Sequence, residues 1–251
     1  MLDGKTAVVT GGSSGIGRAI AQKYAAEGAA VVIGDQKEEP RRAELPTVET
    51  IEKEGGEATF VSTDVTEYQD VVDLVEVADR EYGSVDIMVN NAGILQQTLL
   101  HETSSEQWEE LMDINVTGVF HGSKAAIQKM LEQDSGGNIV NISSISGSIG
   151  RANAPAYCTS KGAVTMMTRQ NAIDYGPKGI RVNAVGPGGT LTSMVYETMS
   201  EERREYLEMQ TPLRRLAEPD EIAEVATFLA SDMASYVNGH VLFADGGFSI
   251  S

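Results

Sequence analysis

The chain has 251 residues, of which 41% are hydrophobic, and its 37 acidic and 19 basic side chains give a formal net charge of −18 at pH 7. This composition excludes disordered, collagen-like and disulfide-scaffold proteins, because the apolar residues can build a core and the one cysteine, Cys158, cannot form an internal disulfide. The negative charge makes nucleic acids and membrane surfaces poor partners, and with no long apolar run we expect a cytoplasmic protein.

Seven short runs of β-branched residues recur along the chain, separated by stretches with helical spacing such as residues 15–27 and 68–82. The predicted strands are Lys5–Thr10, Ala30–Asp35, Glu57–Ser62, Val85–Asn90, Asn138–Ile142, Arg181–Val185 and His240–Ala244. Runs that are apolar at successive positions are typical of strands covered on both faces. The alternation therefore predicts an α/β fold, with a doubly wound, parallel seven-stranded sheet and helices on both faces.

No linker divides this alternation. Residues 36–46 are polar and contain two prolines, but they lie inside the strand–helix pattern. Residues 190–212 follow the sixth predicted strand and combine helical spacing with methionines among charged residues. We predict a single domain over residues 1–251, with residues 190–212 as a substrate flap within it, because open α/β sheets carry their ligand loops at the carboxyl ends of strands.

A glycine-rich run, Thr10–Gly17, directly follows the first predicted strand and opens the first helix. Glycines here allow a tight turn and let a diphosphate approach the N–H groups of the helix N-terminus. The spacing is G-x-x-x-G-x-G, and an ordinary strand-to-helix turn is the alternative interpretation. The dinucleotide contacts expected in this run are Gly11, Ser13, Ser14, Gly15, Ile16 and Gly17.

Asp35 closes the second predicted strand, 18 residues after Gly17. A carboxylate at this point accepts hydrogen bonds from the adenosine ribose hydroxyls and repels a 2′-phosphate. Ser14 and Gln36 are neutral where a basic residue would favour the phosphorylated cofactor. The pattern favours NAD over NADP, although an aspartate that only stabilises the turn is also compatible with it.

Tyr157 and Lys161 are separated by four residues, so on a helix they share one face. An ammonium group beside a phenol favours the phenolate and lowers the phenol's pKa toward the working pH of a general acid/base. Thirteen residues earlier, Ser144 follows the fifth predicted strand, where its hydroxyl can donate to a substrate oxygen. An exposed Tyr–Lys pair and a turn-stabilising serine are the alternatives.

Together these motifs resemble the short-chain dehydrogenase/reductase family over nearly the whole chain. The residues that carry the resemblance are Thr10–Gly17, Asn90-Asn91-Ala92-Gly93, Asn115, Ser144, Tyr157-x-x-x-Lys161, Pro187-Gly188 and Asp245-Gly246-Gly247. The resemblance implies a Rossmann-type sheet, reversible hydride transfer with NAD or NADP, and a homotetramer.

The resemblance also implies roles for individual residues. Tyr157 would be the acid/base, Lys161 would bind the nicotinamide ribose and depress the phenol's pKa, Ser144 would polarise the carbonyl, and Asn115 would hold a water in the proton relay. Further cofactor contacts are expected at Asp64, Val65, Asn91, Gly93, Pro187, Gly188, Thr190 and Thr192. No metal site is expected, because the three histidines have no ligand spacing.

The expected function is NAD-dependent interconversion of a secondary alcohol, in a sugar, polyol or other small hydroxy compound, and its carbonyl. Two alternatives are reduction of a 3-oxoacyl group on an acyl carrier protein and a non-catalytic NAD-binding regulator. The presence of all four catalytic positions disfavours the regulator. The acidic surface indicates either adaptation to a salt-rich cytoplasm or an ordinary acidic protein.

Overall fold

The structure, a computed structural model, describes residues 1–251 and contains one parallel sheet of seven strands in the order β3-β2-β1-β4-β5-β6-β7. The strands are β1 (Thr6–Thr10), β2 (Ala30–Asp35), β3 (Ala58–Ser62), β4 (Ile87–Asn90), β5 (Gly137–Ile142), β6 (Ile180–Pro187) and β7 (Val241–Ala244). The predicted α/β fold with a doubly wound, parallel seven-stranded sheet is confirmed. Strand boundaries differ from the prediction by at most two residues; β6, for example, continues to Pro187 and pairs it with Ala244.

Nine α-helices surround the sheet. They are α1 (Gly15–Ala26), α2 (Thr47–Lys53), α3 (Tyr68–Tyr82), α4 (Ser105–Met112), α5 (Gly118–Gln133), α6 (Pro155–Tyr175), α7 (Ser193–Thr198), α8 (Glu201–Gln210) and α9 (Pro219–Ala230). A π-helical segment, Asp113–Thr117, joins α4 to α5. None of these helices combines the length and the apolar character needed to cross a membrane.

The apolar core forms one layer on each face of the sheet. Along β1, Ala7 and Val9 point to the layer that includes α1 and α9, whereas Val8 points to the layer that includes α3 and α5. Successive residues of a strand face opposite sides, so a strand with helices on both faces must be apolar throughout. This explains why all five residues of β1 are buried.

The sheet order places a crevice at the carboxyl ends of β1 and β4. β1 pairs with β2 on one side and with β4 on the other, so the chain winds outward in opposite directions from this point. Ligands of doubly wound folds bind where the strand order reverses. Helix α1 starts at this crevice and packs on α9, where the fully buried Tyr24 hydroxyl donates to the carbonyl oxygen of Ala226 at 3.1 Å.

Candidate active site

The glycine-rich connection between β1 and α1 packs directly against the connection that follows β4. A Cβ atom on Gly17 would overlap the carbonyl oxygen of Gly11 and the side-chain amide of Asn91. That amide donates to the carbonyl oxygens of Thr10 and Gly11 at 2.9 and 3.0 Å. Gly11 has φ +65°, in the left-handed region that favours glycine. Gly17 and Asn91 therefore keep this connection compact and hold the start of α1 at the crevice.

The same connection has free hydrogen-bonding capacity for a diphosphate. Helix α1 begins at Gly15, and its N-cap residue, Ser14, makes no side-chain hydrogen bond to the first turn. The hydroxyl of Ser13 is buried and has no hydrogen-bond partner in the protein. Open N–H groups at a helix N-terminus and an unpaired buried hydroxyl suit an anionic group that accepts several hydrogen bonds. The residues present therefore fit a dinucleotide diphosphate.

Asp35 lies at the end of β2, beside this connection. Its carboxylate accepts from the backbone N–H groups of Ser13 and Gln36, at 3.1 and 2.8 Å. Since an ionised carboxylate has about four lone-pair sites, two bonds leave room for ribose hydroxyls.

Gln36 links Asp35 to the next strand connection, because its side-chain amide donates to Asp64 at 3.0 Å. Hydrogen bonds from Thr66 hold the pKa of Asp64 below its ordinary value. Val65, the next residue, accepts a hydrogen bond from the ring of His121 at its carbonyl oxygen. This end of the crevice thus contains two carboxylates joined by a neutral amide.

Tyr157 lies on the first turns of α6, and Ser144 lies at the carboxyl end of β5. Burial raises the pKa of the Tyr157 phenol, while the neighbouring Ser144 hydroxyl and the positive charge of Arg151 act in the opposite direction. The predicted net lowering of this pKa is therefore wrong for this structure, because the cost of burying a phenolate outweighs the stabilising charges around it. The phenol is therefore protonated at neutral pH.

Lys161 follows one helical turn after Tyr157, and its Nζ lies 5.8 Å from the centroid of the Tyr157 ring. The lysine is buried, and its Nζ donates to the carbonyl oxygen of Ile142 at 2.8 Å. Burial lowers the pKa of Lys161 to about 8. An ammonium group held by a single carbonyl retains two N–H donors for a ribose.

Asn115 comes from the π-helical segment between α4 and α5, a type of irregularity that is frequent at functional sites. Its fully buried amide accepts from the backbone N–H of Ile94 at 2.8 Å and donates to the Ile94 carbonyl oxygen and to Ser160. Gly93 separates Asn115 from Lys161, since a Cβ there would lie 3.1 Å from the Asn115 oxygen and 3.7 Å from the lysine Nζ. Asn115 thus ties the connection after β4 to α6.

The connection after β6 reaches back to α1. Gly188 donates from its backbone N–H to Ala244, and Thr190 forms an isolated parallel bridge with Ala217. This directs Thr192 toward the glycine-rich run, where a Cβ on Gly15 would contact the Thr192 methyl group at 3.4 Å. The residues after Pro187 therefore approach the glycine-rich run at the start of α1.

The structure thus gathers the predicted residues into one crevice with two ends. Ser144, Tyr157, Lys161, Asn115 and Gly93 form the end at β4, β5 and α6. The other end holds the glycine-rich run with Asn91 packed against it, and Asp35, Asp64 and Val65. The residues after β6 that approach this run are in the segment that contains Pro187, Gly188, Thr190 and Thr192. The roles of these residues are proposals.

Sequence reasoning missed two arginines near this crevice. Arg151 is half-buried in the connection between β5 and α6, and it has no ion-pair or hydrogen-bond partner. Arg41 belongs to residues 36–46, for which no role in the site was expected. Its backbone N–H instead donates to the Ser14 hydroxyl at 2.9 Å. The position of Arg151, six residues before Tyr157, was a usable signal, whereas nothing local in the sequence shows the fold-back of Arg41.

Known proteins resemble this chain over almost its full length. A family model described as enoyl-(acyl carrier protein) reductase matches residues 11–249. Glucose 1-dehydrogenase 2 of Bacillus subtilis (strain 168) is 41% identical over 250 residues, which cover 99% of this chain and 96% of the relative.

Two solved structures have the same fold. A short-chain type dehydrogenase/reductase from Mycobacterium marinum has a TM-score of 0.94 at 34% identity, covering 100% of this chain and 97% of that chain. A gluconate 5-dehydrogenase from Burkholderia cenocepacia J2315, in complex with NADP and tartrate, has a TM-score of 0.92 at 34% identity, with the same coverage. The likeness therefore includes every element that forms the crevice.

Proposed function

The chain belongs to the short-chain dehydrogenase/reductase family of alcohol oxidoreductases, and on that premise we propose that it uses NAD to interconvert a secondary alcohol and its carbonyl compound. The observation that carries this proposal is the grouping of Ser144, Tyr157 and Lys161 at one end of a crevice whose other end presents the Asp35 carboxylate. The proposed substrate is a small hydroxy compound such as a sugar or a polyol.

The side chains divide the chemistry between them. A bound nicotinamide would supply the hydride acceptor or donor. The Ser144 hydroxyl donates to the substrate oxygen and stabilises the charge that develops there. The Tyr157 hydroxyl, protonated at neutral pH, gives its proton to that oxygen during reduction, and the Tyr157 phenolate takes the proton of the alcohol during oxidation. Lys161 holds the ribose and, as a cation, favours the phenolate during oxidation.

Cofactor choice tests the role of Asp35. We expect kcat/KM with NAD to exceed that with NADP by at least about tenfold, the scale of one unfavourable carboxylate–phosphate contact. Asp35→Ala should lower the ratio of kcat/KM with NAD to kcat/KM with NADP. Asp35→Asn should lower this ratio too, because the substitution removes the negative charge and keeps an acceptor for the Ser13 N–H.

The matched control for this test is Glu39→Gln, which removes an exposed, unpaired carboxylate four residues later. It should leave the NAD/NADP ratio unchanged. Equal use of NAD and NADP by the unmodified protein would contradict the proposed preference. The solved gluconate 5-dehydrogenase with bound NADP makes this comparison necessary.

A substrate panel tests the reaction class. It should compare neutral sugars and polyols with sugar acids, because the unpaired charge of Arg151 acts on the Tyr157 hydroxyl and would attract a carboxylate. We expect NAD-dependent oxidation of at least one of these classes. No turnover with any alcohol or ketone would favour the non-catalytic alternative.

A second candidate is reduction of a 3-oxoacyl thioester carried by an acidic carrier protein. The exposed Arg203 and Arg214, on and after α8, favour it as a docking patch, although the overall charge of −18 opposes association with an acidic partner. Reduction of an acetoacetyl thioester with NADH and with NADPH distinguishes the two candidates. Faster thioester reduction than sugar or polyol oxidation would favour the second.

A further inference from the structure

Residues 36–46 and helix α7 touch each other across the mouth of the crevice, although they lie about 150 residues apart in sequence. The Arg41 guanidinium forms an ion pair with Glu197 at 3.3 Å. The Arg42 guanidinium stacks 4.0 Å from the centroid of the Tyr196 ring. Arg204 approaches the same ring at 5.1 Å and donates to the Met199 carbonyl oxygen, so the ring contacts one cation from residues 36–46 and one from α8.

These contacts lie at the start of α1, where the diphosphate is expected. They border a cavity of about 260 Å³ whose lining includes Ser14, Gly15, Arg42, Thr192 and Tyr196. Arg41 connects the two sides of the crevice, because its backbone N–H donates to the Ser14 hydroxyl while its side chain reaches Glu197 on α7. One residue therefore touches both a proposed cofactor contact and the flap.

We propose that Arg41, Arg42, Tyr196 and Glu197 form a clasp that holds the flap over the bound dinucleotide and limits the rate at which the dinucleotide leaves. The proposal rests on the proposed function, since it requires a dinucleotide beneath the clasp. Opening the crevice requires α7 to move away from residues 36–46, which breaks the ion pair and the cation–π contact together. The four residues are positioning residues, because they act on the dinucleotide through the flap.

Each contact of the clasp is individually weak. Both partners of the ion pair are more than half exposed, with side-chain exposures of 63% and 51%, so solvent and salt screen their attraction. An exposed ion pair or cation–π contact changes an equilibrium by a factor of about two to five. Two such contacts therefore suit a clasp that opens in every catalytic cycle, when product dinucleotide must leave.

The test measures dissociation of NADH from the full-length protein by stopped-flow fluorescence. We expect Glu197→Gln to raise the dissociation rate constant about two- to fivefold, and Tyr196→Leu to raise it by a similar factor. Glu205→Gln is the matched control, because it removes an exposed, unpaired carboxylate from α8 of the same flap. This control should leave the rate constant unchanged.

A double-mutant cycle separates the ion pair from any direct contact between Arg41 and the phosphates. If Arg41 and Glu197 act on each other, the double variant Arg41→Gln/Glu197→Gln should dissociate NADH no faster than the faster single variant. The unmodified protein should also lose NADH faster as KCl rises from about 0.1 M to 1 M, where the screening length falls from about 10 Å to 3 Å. Glu197→Gln should show a weaker dependence on salt.

The outcomes separate the two proposals. Equal dissociation rate constants for Glu197→Gln, Tyr196→Leu and Glu205→Gln would overturn the clasp and leave the proposed function intact. If the effects of Arg41→Gln and Glu197→Gln on the dissociation rate constant multiply in the double variant, the ion pair is not the basis of the clasp. If the unmodified protein binds neither NADH nor NADPH, both proposals fail. Thermal unfolding of each variant identifies any that has lost its fold, and the salt dependence of the unmodified protein then decides the matter.

Discussion

Lys161 is a buried cation whose only protein partner is a backbone carbonyl, and this arrangement costs stability. Burial lowers its pKa from 10.5 to about 8, so between these pH values the unfolded chain binds a proton that the folded protein does not. Below pH 8 the folded protein carries the full cost of a buried charge. Stability from this group alone should therefore rise as pH increases from about 8 to 10.5.

Comparing the unmodified protein with Lys161→Met isolates this contribution, because other titrating groups cancel in the difference. At pH 7 the methionine variant avoids the buried charge. As pH rises from 8 to 10.5, the free energy of unfolding of the unmodified protein should increase by about 1–3 kcal/mol relative to that of the variant. Chemical denaturation at several pH values measures the difference. A difference independent of pH would show that Lys161 keeps an ordinary pKa.

Substitutions at the three proposed catalytic positions should have different kinetic effects. Tyr157→Phe keeps the ring and deletes only the transferable proton, so kcat should fall by about 10²–10⁴ while NADH binding is largely retained. Ser144→Ala should lower kcat with little effect on NADH affinity, because its hydroxyl meets the substrate oxygen. Lys161→Met should lower both kcat and the affinity for NADH.

Steady-state kinetics and fluorescence titration with NADH distinguish these patterns. Retention by Tyr157→Phe of more than a few tenths of the normal rate on a good substrate would rule out the acid/base assignment. Cys158→Ala is a useful control, since it changes the neighbouring residue and removes no proposed role.

The sequence identified these side chains but not their protonation behaviour. Spacing shows that Tyr157 and Lys161 share a helix face, because that follows from helix geometry. The pKa of each depends on how deeply α6 lies against β5 and on the Ile142 carbonyl, which are tertiary features. For that reason the predicted direction for Tyr157 was wrong.

At the scale of elements, the approach of α1 to the connection after β4 depends on Gly17. Alanine there would overlap the Gly11 carbonyl oxygen in the connection after β1 and the Asn91 amide in the connection after β4. Gly17→Ala should lower the free energy of unfolding by about 1–3 kcal/mol, the usual cost of overpacking, and weaken NADH binding.

Gly162→Ala makes the same chemical change inside α6, where the nearest atom to a Cβ would be 3.8 Å away. It should leave stability unchanged or raise it by about 0.5–1 kcal/mol, because alanine is the better helix former. Thermal and chemical unfolding of the two variants provide the measurement. Equal stabilities would mean that the connection moves to accommodate a methyl group.

Strands were predictable because burial on both faces forces continuous apolar runs such as that of β2. The π-helical segment at Asp113–Thr117 was not predictable from the sequence, since its Asn115 forms hydrogen bonds with Ile94 that depend on the tertiary structure. The clasp was not predictable from the sequence either, because Arg41 and Glu197 meet only after the sheet has brought residues 36–46 and α7 together.

At the scale of the whole molecule, the net charge of −18 produces self-repulsion in the folded state. If the acidic surface is an adaptation to salt, the thermal midpoint and activity should both rise strongly between about 0.1 M and 1 M KCl. A flat or falling profile would make the charge a solubility feature only. Near pH 4.5, where the net charge is close to zero, the same salt increase should have little effect on the midpoint.

The predicted homotetramer is a proposal at this scale. Several large apolar side chains are exposed on the isolated chain, among them Ile173 and Ile250 at 70% and 90% exposure. We expect light scattering to give a mass about four times 26.8 kDa. A monomeric mass at micromolar concentration would contradict this expectation.

The packing of α1 against α9 has a consequence for synthesis of the chain. Tyr24 and its partner Ala226 are 202 residues apart, so the apolar face of α1 leaves the ribosome long before the helix that covers it. Because the core layer that contains Tyr24 also contains Ile222 and Leu229 of α9, the first half of the chain cannot complete this layer as it emerges. We expect nascent chains shorter than about 220 residues to bind chaperones, and protection from protease to appear only once α9 has left the exit tunnel.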